Sequence, residues 1–391
     1  MDKMKVHTYN VELEILTPVI INSGESYGFC ELIPTREIIK SDGYDRGYNP
    51  PSVTKFYVND TSKMFEEMSP VEVKKFIDSS VCALSGERPD NKELKKLRKE
   101  IRENTDLSSM PSAMVIGEAE GELYDKPMQS VSKAVQSPID NRTYIPGSSI
   151  KGAIRTGLLE YLRDMCHKDY WNGLKDYNLN WMKHKVPSQD SNTILDFEME
   201  IMKGKKKFEI ESDPFKYLKI SDFHFSDEDG VPYIAKIGEQ GRRDSRKGAP
   251  IFSAMTNCFA FSGRNIIARG TISVDEIFFS KINSNGEINS LQDILDKMGV
   301  FYQRNIQSTL SKSSGPKMSY LSNKILKASA NEKVIRIGHY IGIKDHTLNV
   351  KQVNPPKKHH KVDINITGGR LITIEDYILP GICTIKIKEQ S

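Results

Sequence analysis

Residues 142–158, Arg-Thr-Tyr-Ile-Pro-Gly-Ser-Ser-Ile-Lys-Gly-Ala-Ile-Arg-Thr-Gly-Leu, constrain the fold more than any other stretch of the chain. A short β-type run, Thr143-Tyr144-Ile145, is stopped by Pro146-Gly147, and a helix is expected to start at Ser148 or Ser149. A serine hydroxyl there can accept a hydrogen bond from one of the free N–H groups of the first turn. Ile150, Ile154, Leu158 and Leu162 recur every four residues and give the helix one apolar face. Lys151 and Arg155, also four apart, form a basic stripe beside it, and Gly152, Ala153 and Gly157 keep the outer surface low. A helix start with Ser148, Ser149 and two cations has the makings of a phosphate site. A capped amphipathic helix buried in a core accounts for the same residues, and stays open as the alternative.

The chain has 391 residues, too many for one small core, so two domains are expected. With 38% hydrophobic and 28% charged residues it can bury a core and lacks the composition of a disordered chain. A net charge of +4 is only mildly basic, so any nucleic-acid surface must come from local clustering. No run of about eighteen apolar residues marks a membrane span, and Met-Asp-Lys-Met-Lys leads straight into a strand without a signal-peptide pattern, which fits a cytoplasmic protein. The five cysteines, Cys30, Cys82, Cys166, Cys258 and Cys383, are far apart, so reduced thiols are expected rather than a disulfide framework or a zinc site. No cofactor or metal is expected.

Tyr9, Val11, Leu13 and Ile15 alternate with polar residues as a half-buried strand that Thr17-Pro18 ends, and Val19-Ile20-Ile21 runs into a turn at residues 22–25. Helices are expected near 61–80 and 91–102, and strands at 113–116 and 217–225. Residues 251–262 and 266–279 read as a paired β-ribbon turned at Ser262-Gly263-Arg264-Asn265. A helical region over 290–324 is expected to break at Gly299 and again at 313–316, with strands following at 334–343 and 382–387. Strands in clusters rather than regular βαβ alternation place the chain in the α+β class.

Two further stretches carry candidate chemistry. In residues 336–347, Gly338 and Gly342 lie in a β context with Arg336, His339, Tyr340 and Lys344 around them. Glycine inside a strand marks a bulge or the close approach of another backbone, and cations with an aromatic suit an RNA backbone and a stacked base. In residues 241–248, Arg242, Arg243, Arg246 and Lys247 form a basic loop able to supply salt-dependent, sequence-independent phosphate affinity. Lys205–Lys207 and residues 355–361 are weaker versions, and Gly368-Gly369 reads as a hairpin turn. There is no Gly-x-Ser-x-Gly or His-Glu-x-x-His arrangement, and Lys151 between Ile150 and Gly152 does not make a Walker A loop. His339 is the one histidine worth testing as a general base.

Ile145 to Thr156, Ile-Pro-Gly-Ser-Ser-Ile-Lys-Gly-Ala-Ile-Arg-Thr, resembles the helix-opening motif of RAMP proteins, RNA-binding subunits of CRISPR effector complexes. Leu16 to Gly24 resembles the family's first strand, with Asn22 in place of a glycine. The Ile220-Ser221-Asp222 strand and the 336–344 stretch resemble two further family features, the latter with His339-Tyr340-Ile341 where the glycine-rich loop has more glycine. Within the family the likeness is greatest to the subunit that caps the guide RNA 3′ end in type III-A (Csm) complexes. The resemblance implies two ferredoxin-like (RRM-like) modules with helical and loop insertions, an N-terminal one over 1–215 and a C-terminal one over 216–391. It implies non-catalytic crRNA binding through Ser148, Ser149, Lys151, Arg155, the 242–247 cations and the 336–344 loop, with help in crRNA maturation. Adjacent RAMP backbone subunits and target RNA are the other implied partners. A metal-independent RAMP endoribonuclease using His339, a sibling RAMP subunit of a type III complex and an assembly protein that touches no RNA are the alternatives.

Overall fold

The structure is a computed structural model that describes residues 5–28, 30–39, 52–84, 90–125, 130–165, 213–226, 228–240, 251–282, 287–310, 332–339, 371–374 and 378–390. Trp171, Trp181, Lys205–Lys207, Arg242, Arg243, Arg246, Lys247, Tyr340, Gly342, Lys344, residues 355–361 and Gly368-Gly369 lie outside the described residues.

The described strands form two sheets. The first has the order β13 (Lys333–Arg336), β15 (Ile382–Gln390), β1 (Val6–Ile15), β12 (Ile267–Asp275), β9 (Phe223–Phe225) and β7 (Tyr144–Ile145), with β8 (Leu218–Ile220) also on β12. All its pairs are antiparallel. The second runs β2 (Asn22–Tyr27), β6 (Val131–Ala134), β11 (Ile251–Met255), β10 (Tyr233–Gln240), β5 (Ser112–Ile116), β4 (Val53–Val58) and β3 (Leu32–Ile39), with β14 (Leu371–Ile374) on β10. Its β5–β10 and β6–β11 pairs are parallel.

The alternation in β1 does what its pattern requires: Val11, Leu13 and Ile15 are buried, and both backbone edges are paired, one by β12 and one by β15. Where β1 ends, the Thr17 hydroxyl accepts from the Ile382 N–H at 2.8 Å, while Leu16 and Thr17 N–H donate to the Ile382 carbonyl. The Thr-Pro bend is thereby fastened to the last strand of the chain.

The helices are α1 (Thr61–Glu67), α2 (Pro70–Leu84), α3 (Asn91–Asn104), α4 (Glu118–Asp125), α5 (Gly147–Met165), α6 (Phe259–Ser262), α7 (Glu276–Ile282) and α8 (Leu291–Leu310). Ile150, Ile154 and Leu158 of α5 join Leu291, Ile294, Met298 and Tyr302 of α8 and the inner faces of β1, β12 and β15 in the main core. Helices α1 to α3 bury a separate cluster that includes Met64, Phe76, Leu94, Leu97 and Ile101. The architecture is α+β.

Several sequence expectations are corrected. The helix read over 61–80 is two helices, because Ser69 and Glu72 form a capping box that starts α2 afresh: the Glu72 carboxylate accepts from the Ser69 N–H at 2.8 Å. The strand read over 217–225 is divided at Ser221-Asp222 into β8 and β9. Strands β11 and β12 are not a paired ribbon, since they belong to different sheets and the buried turn α6 carries the chain between them. Gly263, at φ 71°, caps that turn rather than a hairpin. Gly299 does not break α8, where the helix runs through it against the Lys333 side chain. Each sheet draws strands from both sides of residue 215.

Candidate nucleic-acid interface

Helix α5 starts at Gly147, one residue earlier than the serines anticipate. The Gly147 N–H donates to an Asp222 carboxylate oxygen at 2.8 Å, so the Ile-Ser-Asp segment caps the helix in place of a serine. Glycine is required there: a Cβ on residue 147 would collide with the backbone carbonyl oxygens of Ile220 and Ser221. Ser148 is exposed and Ser149 partly so, both in the first turn.

The basic stripe is less open than its spacing implies. Arg155 Nη1 donates to Asp213 at 2.7 Å, and its guanidinium lies 4.7 Å from the centre of the Phe215 ring. That side chain is 15% exposed, so Arg155 chiefly ties the turn at Pro214–Tyr217 to α5. Burial pushes the Lys151 ammonium below its usual range; Asp213 opposes this and Arg155 adds to it. Gly157 is not an outer surface at all, since Met298 of α8 packs directly on it.

At the other motif, Arg336 is 3% exposed and its Nε donates to the Pro380 carbonyl at 3.0 Å. Ile337 N–H donates to Gly381 O at 2.9 Å, and His339 N–H to Ile20 O at 2.7 Å. Between them Gly338 has φ +95°, and a Cβ on it would sit 2.7 Å from the Ile20 carbonyl oxygen. Only glycine combines that left-handed conformation with the approach of the β1–β2 connection. His339 is exposed.

These two motifs, far apart in the chain, line one cleft of about 300 Å³. Ser148, Ser149, Gly152, Ala153 and Thr156 form one wall, and Arg336, Ile337, Gly338 and His339 the other. Ile21 and Tyr302 complete it. The Tyr302 hydroxyl donates to the Ala153 carbonyl at 3.0 Å, which fixes α8 against α5 at the base of the cleft. Tyr302, Thr156 and Ile21 are absent from the sequence-based site. Tyr302 does continue the Met298–Tyr302–Ile306 spacing of a buried helix face, but nothing in that spacing reveals its partner.

Among the described residues no group of three or more His, Cys, Asp or Glu side chains could hold a metal ion. Burial pushes the Cys30 thiol up to about 12 and the Cys258 and Cys383 thiols well above their usual range, which keeps them protonated and unreactive. No described helix is long and apolar enough to cross a membrane.

The RAMP superfamily matches this chain over residues 12–368. The chain belongs to the RAMP superfamily. A stretch of 215 residues, 55% of this RAMP chain, is 28% identical to "CRISPR system Cms protein Csm5" of Methanocaldococcus jannaschii. That stretch spans 42% of the relative's length, less than half. Among solved structures, a chain of a Csm–crRNA–target RNA ternary complex from a type III-A CRISPR-Cas system superposes with a TM-score of 0.58 at 14% identity, covering 97% of this chain and 100% of that one. The crystal structure of T. onnurineus Csm5 gives a TM-score of 0.54 at 16% identity, covering 84% and 89%. Both likenesses are likenesses of fold.

Proposed function

We propose that this chain is a non-catalytic crRNA-binding subunit of a type III-A CRISPR (Csm) interference complex, which caps the 3′ end of the guide RNA filament and assists crRNA maturation. The observation that carries the reading is the convergence of the helix start and the Gly338 turn on one cleft of a RAMP scaffold. The sequence likeness to a Csm5 protein and the fold likeness to Csm structures support it. Its partners in this reading are crRNA, the adjacent RAMP backbone subunits and target RNA.

A cap for guides of differing sequence needs backbone and shape contacts rather than base readout. Lys151 of α5, the cations Arg242, Arg243, Arg246 and Lys247, and Lys344 are assigned phosphate neutralisation. Tyr340 and Gly342 are assigned contact with the same strand. Arg155 and Arg336 act through the fold, holding Asp213 and Pro380.

Ultraviolet crosslinking of the assembled complex tests this: an RNA adduct on this chain is expected, and its absence counts against capping. The exposure of His339 at the cleft favours one second reading, a metal-independent endoribonuclease acting on repeat RNA. Incubation of the pure protein with repeat RNA in EDTA is expected to leave the RNA intact. Specific cleavage that His339→Ala abolishes would overturn the non-enzyme reading.

A further inference from the structure

Resting on the RNA-binding reading, we infer that the cleft between α5 and the Gly338 turn holds the neutral part of one ribonucleotide, its base and ribose, and leaves the phosphates at the rim. The helix start is the obvious place for a phosphate, but its Gly147 N–H is already taken by the Asp222 carboxylate. That fixed negative charge satisfies the helix dipole from within and repels an incoming anion. The guanidinium on the cleft wall, Arg336, is buried and turned to the Pro380 carbonyl. Arg155 is paired with Asp213 and stacked on Phe215. What the described walls offer instead is hydroxyls, an aromatic residue and peptide groups.

Those groups match a nucleoside. Ser148, Ser149 and Thr156 line the helix side, and each hydroxyl can donate one hydrogen bond and accept two. The Thr156 hydroxyl donates to the Gly152 carbonyl at 3.1 Å, which leaves its oxygen an acceptor for a ribose 2′-OH. His339, which is exposed, adds an aromatic ring on the opposite wall, and the buried Tyr302 closes the space. Gly152 leaves the wall bare: a Cβ there meets no atom within 4 Å. A volume of about 300 Å³ lies at the lower limit of small-ligand sites, suited to one nucleoside rather than a length of strand.

The test uses the full chain and a short single-stranded RNA with a guide-end sequence, with affinity measured by fluorescence anisotropy across a salt series. Gly152→Leu, which fills open space on a helix, is expected to weaken binding about tenfold while the slope of log affinity against log salt stays unchanged. A 2′-deoxy substitution at one position of the RNA is expected to weaken binding to the wild type but to have no further effect on the variant. Gly152→Ala provides a smaller filling, with its thermal midpoint compared to the wild type to confirm folding. A slope that falls by about 0.7 in Gly152→Leu places a phosphate in the cleft and overturns the inference. Unchanged affinity in both variants overturns it as well, by showing the cleft empty. Absence of any RNA binding by the wild type would instead remove the RNA-binding reading on which it rests.

Discussion

Arg155 shows how far a residue's role can depart from its spacing. Four residues from Lys151, it reads as half of a basic stripe, yet its partner Asp213 lies 58 positions away. The two side chains are 15% and 16% exposed, so removing one leaves the other charge largely out of water. Arg155→Ala is therefore expected to lower unfolding stability by about 3 kcal/mol in a urea titration. A protein in which Arg155 serves only as an RNA contact would keep its stability and lose affinity alone. Glu12 is the second such residue, a carboxylate on β1 that meets Arg269 at 3.1 Å, Lys388 at 3.3 Å and Lys386 at 3.7 Å from the neighbouring strands. Burial pushes its carboxyl up, but hydrogen bonds and charge from Lys388 and Arg269 outweigh this and hold it below the usual carboxylate range. A folded-state pKa below the unfolded one gives stability that is complete above the ordinary carboxylate range and is lost as pH falls through the lowered value. Glu12→Gln should flatten that acid-side loss between about pH 5 and pH 3 in thermal melts, and an unchanged acid limb would contradict the assignment. Neither partner set is visible in the sequence, because the Glu12 pairs depend on strand register and the Arg155–Asp213 pair on how the Pro214–Tyr217 turn docks against α5.

Strands and helices were legible to the extent that their signals are local. The four-residue apolar repeat of α5 and the alternation of β1 are properties of the elements themselves, and both appear where the pattern places them. Strands β11 and β12 read as partners but lie in different sheets, because alternation looks the same whether two strands share a sheet or not. The junctions show the same division. Glycine in a β context signalled an approaching backbone at Gly338, and Ile20 is that backbone, but the Ile-Ser-Asp segment gave no sign that Asp222 caps α5. Gly338→Ala forces a side chain into φ +95° and against Ile20, at an expected cost of about 1–3 kcal/mol in chemical unfolding. Asp222→Ala removes only the cap, and about 1 kcal/mol is expected. If the two variants cost the same small amount, the Gly338 turn is not held as tightly as the Ile20 contact implies.

At the scale of the molecule, composition and element order gave the α+β class but not the way the halves interlock. β1 sits between β12 and β15, so the first strand completes a sheet made largely from the far end of the chain. Fragments 1–215 and 216–391 expressed separately are accordingly expected to lack cooperative thermal transitions, because each exposes unpaired sheet edges and half a core. Independent folding of either fragment would contradict that interlocking. The same topology brings residues 147–156 and 336–339 to one cleft, which no linear reading could do, and the proposed RNA contact rests on that meeting. The most direct measurement is photocrosslinking of the reconstituted complex with guide RNAs carrying 4-thiouridine at successive positions, followed by mass-spectrometric mapping of the adducts on this chain. Adducts at residues 147–156 and 336–339 from the 3′-terminal positions alone are the expected result. Adducts from the 5′ positions, or at neither segment, would contradict a cap on the 3′ end of the guide.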